Sequence, residues 1–207
     1  DPGVGPGDRL ERLPPRTARG PGVSIEIRPA SRWEDVVGLF GPNGAYANCW
    51  CMWWRMRSAE FDRASPRSKR GAMRRLVTGG GSPGLLAYRE GRPVGWVSVA
   101  PREEFGRLER SPTLKRVDEQ PVWSIVCFYV DRRHRGAGVA RALLRGAEEH
   151  ASRNGATALE AYPVDPARRA YASAEAYSGV VPLFEEAGFR EVARRGNRPI
   201  MRKAVRG

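Results

Sequence analysis

The eleven residues "VDRRHRGAGVA", Val130 to Ala140, join an apolar run to an amphipathic one through a short basic loop with two glycines. On the upstream side, "VWSIVCFYV" (Val122 to Val130) is rich in β-branched and aromatic residues, the pattern of a strand buried on both faces. On the downstream side Val139, Ala142, Leu143, Gly146, Ala147 and His150 recur at helical spacing and form one apolar face, which Asn154-Gly155 brings to an end. The glycines allow the backbone to turn and to approach a ligand closely. A helix start carries unpaired N–H groups and the positive end of the helix dipole, so the junction predicts a site for a pyrophosphate.

Two other phosphate-binding patterns do not fit. A P-loop requires Gly-Lys-Ser/Thr after the glycines, and none is present. A dinucleotide fingerprint requires Gly or Ala three residues after the second glycine, where Arg141 stands, and it belongs to an early strand, whereas four strands precede this loop.

Outward from this junction, "SIEIRPA" (Ser24 to Ala30) alternates as a strand, and Ser31 offers an N-cap to a helix carrying Trp33, Val36, Val37 and Phe40. A polar helix is expected from about Ser65 to Val77, then a hairpin, "GLLAYREGRPVGWVSVA", turning at Glu90-Gly91. The connection from Pro101 to Gln120 is long for a turn, as functional connections often are. After the central strand and helix come "ALEAYPV", a polar loop, the short helix "VVPLFEEAG" and a closing strand pair. Residues 1–22, rich in Pro, Gly and Arg, are expected to form a disordered tail before a single domain over 23–207.

The formal net charge is +13, yet only Lys69, Lys115 and Lys203 among the 36 basic residues are lysines. The arginines read as scattered rather than striped, which argues against a nucleic-acid partner and for a solvated basic surface that helps attract an anionic ligand. No apolar run has signal-peptide or membrane-span character, so a cytoplasmic protein with no membrane partner is expected. Cys49, Cys51 and Cys127 make no disulfide framework, and a lone Cys-x-Cys with only His134 and His150 in the chain argues against a metal site.

The spacing Arg133-x-x-Gly136-x-Gly138 resembles the Arg/Gln-x-x-Gly-x-Gly/Ala signature of the GNAT superfamily of N-acetyltransferases, and the order of elements from Ser24 to Val205 is similar to theirs. The resemblance implies an α/β (α+β) GNAT fold: a mixed, mostly antiparallel sheet of six to seven strands with helices on both faces. It implies acetyl-CoA as donor, with Phe128, Tyr129 and Val130 along its pantetheine arm by β-augmentation. Arg133, Arg135, Gly136, Ala137, Gly138, Val139 and Ala140 would form the phosphate cradle.

"LFEEAGF" (Leu183 to Phe189) resembles a family segment in which a tyrosine often protonates the leaving thiolate, but Phe184 occupies that place. Tyr177, Ser178 or water would then serve. The family's strand-start glutamate is also absent, which leaves Asp118 and Glu119 as the nearest carboxylates. Glu119 and Tyr177 are the expected catalytic pair, acting on direct attack of an amine while a backbone N–H near Phe128 or Tyr129 holds the oxyanion. Cys127 reads as an inert small hydrophobe.

The stretch "NCWCMWWR" (Asn48 to Arg55) falls where relatives shape the acceptor site. Part of it must be core. Trp50 or Trp54 is expected to line the acceptor pocket, with Arg55 available for a substrate carboxylate or phosphate and the thiols serving as packing. The expected reaction is transfer of an acetyl group to a small-molecule amine, and a homodimer is compatible with the sequence. Two alternatives stay open: an acyltransferase of this fold that uses tRNA or another macromolecule, and a degenerate acyl-CoA-binding regulatory domain.

Overall fold

A computed structural model describes residues 24–168, 170 and 175–205. The expected N-terminal tail lies outside the described residues. The elements are β1 (Glu26–Pro29), α1 (Trp33–Phe40), α2 (Ser58–Arg63), α3 (Pro66–Thr78), β2 (Leu85–Arg89), β3 (Arg92–Pro101), α4 (Gly106–Arg110), β4 (Trp123–Val130), α5 (Val139–Arg153), β5 (Ala158–Ala161), α6 (Val181–Glu186), β6 (Arg190–Arg195) and β7 (Arg198–Ala204). One seven-stranded sheet has the order β1-β2-β3-β4-β5-β7-β6. Every neighbouring pair is antiparallel except β4 with β5, which α5 connects as a parallel crossover. The expected mixed, mostly antiparallel sheet is what the chain forms.

Local chemistry accounts for most of the boundaries. Ser65 caps α3 by accepting the Ser68 N–H at 3.1 Å, and Pro66 fills the first helical position, where a missing N–H costs nothing. Ser31 does not cap α1. That place is taken by Arg32 without any side-chain bond, and the Ser31 N–H turns back to Pro29 O. The long connection after β3 is not open loop: it holds a 3-10 turn (Arg102–Glu104) and α4, and Phe105 and Leu108 are fully buried. Arg67, Arg70 and Arg74 share the exposed face of α3, a short stripe that the scattered reading of the arginines missed. Among the described residues no helix is long and apolar enough to cross a membrane.

Alternation along the strands divides the core between the two faces of the sheet. Leu85 and Ala87 point with Ile125 and Phe128 toward Leu143 and Ala147 of α5, while Leu86, Tyr88 and Trp96 pack with α1 and α3. A third cluster, with Phe105, Leu108, Val126 and Tyr162, fills the corner beside α4.

Where β4 meets β5, the pairing covers only Trp123↔Leu159, Ser124↔Glu160 and Ile125↔Ala161. A buried polar network fastens this short contact. The Arg102 Nη1 donates to Glu160 Oε1 at 3.0 Å and its Nη2 to Leu114 O at 2.7 Å. The other Glu160 oxygen accepts from Arg202 at 2.7 Å, and the Tyr162 hydroxyl joins Ser124 at 2.9 Å and Glu160 at 2.7 Å. Because each charge has several partners, the network is satisfied despite burial.

Candidate active site

Beyond Ile125 the two strands part. Ser98 of β3 is opposite Cys127, yet Val99 is opposite Ile125, so Val126 is an extra residue in β4. Such a bulge bends its strand and re-aims side chains, and here Val126 and Cys127 both pack toward the α4 corner while Ile125 and Phe128 face α5. The bend coincides with the end of the β4–β5 register, which leaves the β5-side edge of residues 126–130 outside the ladder. Such an edge can take an extended ligand arm as an added strand.

That edge runs straight into the glycine loop. Asp131 accepts the Arg133 N–H at 2.9 Å and caps a 3-10 turn over Arg132–His134. The same carboxylate pairs with the Arg133 guanidinium at 2.9 Å, and these bonds hold its pKa down to about 2. Gly136 and Gly138 follow with φ of 73° and 81°, the left-handed region that favours glycine. A Cβ built at either one meets nothing within 4 Å, so the concavity is open rather than plugged by the chain. Gly138 is also the N-cap of α5 and supplies no side-chain bond, which leaves the first-turn N–H groups for a ligand. A diphosphate fits this cradle. Arg135 stands beside it with its Nε 3.4 Å from Val130 O.

On the opposite face of β4 lies a cleft of about 410 Å³. Its strand side is Cys127 and Tyr129, and its far side is Glu175, Tyr177 and Ser178 from a 3-10 turn that precedes α6. Tyr46, Trp53, Trp54 and Phe61 form the third wall. Tyr177 lies between two other rings, with centroids 5.3 Å from Tyr46 and 6.3 Å from Tyr129. Burial raises the pKa of its hydroxyl above the ordinary tyrosine value, so it holds a proton at neutral pH. Burial, and then the charge of Cys51, push the Cys49 thiol up to about 11. Cys127 is raised well above its ordinary value by its hydrogen bond to Cys51 and by burial, and is no nucleophile at neutral pH.

The segment between α1 and α2 is unusual in its backbone. Ala45, Ala47, Asn48, Trp50 and Cys51 all have φ between 46° and 69°, and Ala45, Ala47 and Cys51 line the cleft. Left-handed backbone at residues with a Cβ costs on the order of 1–2 kcal/mol each and persists only where surrounding packing enforces it. Trp50 supplies that packing. It is 2% exposed, lies 5.6 Å from Trp33 and 5.9 Å from Phe40, and presses on Gly44, where a Cβ would stand 2.5 Å from the indole nitrogen.

The expected acceptor residues therefore separate. Trp54 lines the cleft, whereas Trp50 is an anchor beneath the loop and lines none of it. Arg55 is corrected as well: its guanidinium is tied to Glu104 and to Pro83 O at 3.1 Å and covers the Phe105 ring, leaving its side chain 7% exposed. Glu119 is an exposed loop residue away from the cleft, and its neighbour Asp118 is paired with Arg202 at 2.7 Å. Among the described lining residues the acidic one is Glu175, from a segment beyond β5 that motif spacing did not single out. Phe184 lies in the core against Phe128 and Phe189.

Residues 49–175, more than half of the chain, match the profile of the acetyltransferase (GNAT) family. The chain belongs to the GNAT family. This GNAT chain also shares its fold with solved structures of low sequence identity. An acetyltransferase of the GNAT family from Streptococcus pneumoniae is 15% identical, with a TM-score of 0.50 over 88% of this chain and 99% of that one. A GNAT-family protein from Desulfovibrio desulfuricans is 17% identical, with a TM-score of 0.52 over the same shares of the two chains, 88% and 99%. A Salmonella typhimurium structure, solved with its cofactor acetyl-CoA, is 16% identical and has a TM-score of 0.51 over 87% of this chain and 94% of that one. Curated protein sequences gave no match.

Proposed function

We propose that this GNAT protein transfers an acetyl group from acetyl-CoA to the amine of a small molecule. One observation carries the reading: the β4 edge freed at the Val126 bulge leads directly into an open, uncapped helix start, and the aromatic cleft opens on the other face of the same five residues. A thioester arm laid along that edge would deliver its acyl end to the cleft.

Each group then has a part. Main-chain atoms of Phe128, Tyr129 and Val130 bind the pantetheine amides, and a backbone N–H there stabilises the oxyanion. N–H groups from Gly136 to Ala140, with Arg133 and Arg135 near them, hold the diphosphate. The acceptor nitrogen attacks the thioester carbon, so a C–N bond forms and the C–S bond breaks. Glu175 takes the amine proton, directly or through water, and Tyr177 gives its own to the departing sulfur before solvent restores it. Positioning supplies much of the acceleration, as expected where the nucleophile is the substrate itself.

The test is release of free thiol from acetyl-CoA, followed with a thiol-reactive dye on addition of a panel of amines. Amine-dependent release supports the reading. Tight acetyl-CoA binding without release under any amine would identify a regulatory domain instead.

A further inference from the structure

Resting on that reading, we infer that the acceptor is a primary amine carried on an apolar, ring-bearing body, and that polyamines and free amino acids are poor acceptors. The side of the cleft that faces the strand and the 3-10 turn is formed by Ala45, Tyr46, Ala47, Trp53, Trp54 and Phe61. At about 410 Å³ the space is near the small end of the roughly 300–1,000 Å³ usual for small-molecule sites. Among the described lining residues the charged ones are Glu175 and Arg198, and both flank Ser178 at one end: Glu175 O accepts from the Ser178 hydroxyl at 2.8 Å, and Arg198 donates to that hydroxyl's oxygen at 3.1 Å. A ligand with polar groups along its length would leave them unpaired against indole and phenyl walls. One with a single amine can place it at the charged end and bury the remainder.

Two cations sharpen the choice. The Lys69 ammonium stands 3.6 Å over the Phe61 ring and the Arg107 guanidinium 3.6 Å over the Trp53 ring, and neither lines the cleft. Each backs its ring from outside, draws the π density away from the cleft, and adds positive charge nearby. The wall is thereby poor at holding a second ammonium and good at holding an apolar ring. Trp53 and Phe61 also meet edge to face at 5.1 Å, so the wall is formed before a ligand arrives.

The experiment compares kcat/KM at saturating acetyl-CoA for 2-phenylethylamine and tryptamine against spermidine, lysine and glutamate, in wild type, Phe61→Ala and the milder Phe61→Leu. The ring-bearing amines should exceed the others at least tenfold. Phe61→Ala should lose tenfold or more of that kcat/KM through KM, with Phe61→Leu between, while acetyl-CoA affinity and melting temperature hold. Preference for spermidine or an amino acid overturns the proposal, as does a Phe61 effect that appears only as altered preference for acyl-chain length. Absence of acetyl-CoA binding is a separate result that removes the transferase reading itself; acetyl-CoA binding without turnover of any amine removes both.

Discussion

Tyr177 and Tyr129 face one another with ring planes 30° from parallel and centroids 6.3 Å apart, joining the turn before α6 to the bulged strand. The bulge sets where Tyr129 emerges, and the ring pair sets where Tyr177 stands. Replacing Tyr177 by Phe keeps the ring and deletes the proton. The expected result is a fall in kcat of roughly a hundredfold, the lower end for general-acid catalysis, with unchanged acetyl-CoA affinity and thermal stability. The pH dependence follows from the raised pKa: the acid form persists to higher pH, so the wild-type rate falls only as pH rises through a value above the ordinary tyrosine range, and the variant lacks that limb. A kcat–pH profile of both proteins reads this directly.

Trp50 holds the left-handed loop from below. Trp50→Ala empties a buried site and should destabilise by about 3–5 kcal/mol in denaturant titrations. Gly44→Ala should also be harmful, because φ of 57° and the indole 2.5 Å from the new Cβ act together. Trp54→Ala, at a half-buried site on the cleft, should instead raise KM for the acceptor and spare the fold.

How far these roles can be read from sequence differs sharply between the two halves of the site. Strand, loop and helix around Val130 to Ala140 are legible because periodicity, glycine spacing and dipole are all local signals. The octapeptide ending at Arg55 is not. Positive φ at Trp50 and Cys51 takes the backbone out of both regular conformations, so neither a helical nor a strand period assigns Trp50, Trp54 and Arg55 to a face. The bulge at Val126 leaves no glycine or proline to mark it. Glu119 is close to β4 in sequence but its loop leads outward, whereas Glu175 reaches the cleft only through tertiary packing.

The Arg102–Glu160 pair, both side chains 1% exposed, ties the turn after β3 to β5 beside the point from which β4 and β5 diverge. Arg102→Met should cost about 3 kcal/mol, near the lower end for breaking a buried pair, since Arg202 still bonds the other Glu160 oxygen. Equilibrium unfolding checks the value. Loss of rate beyond the loss of folded protein would show that divergence of the strands had changed too.

Cys49 offers a chemical probe of the cleft. With its thiol pushed up to about 11, little thiolate exists at neutral pH, and alkylation by iodoacetamide should be slow there and rise close to tenfold per pH unit up to about pH 10. A ring-bearing amine bound in the cleft should slow it. Peptide mass mapping identifies the modified residue.

Calorimetric titration of acetyl-CoA into wild type and Gly138→Val addresses the donor site without relying on turnover. A side chain at position 138 would enter the open cradle and strain a backbone held at φ 81°. One-site binding by the wild type, weakened at least tenfold in a variant whose far-ultraviolet circular dichroism is unchanged, is the predicted result. No heat with the wild type, or equal affinity in the folded variant, would contradict a diphosphate site at the start of α5.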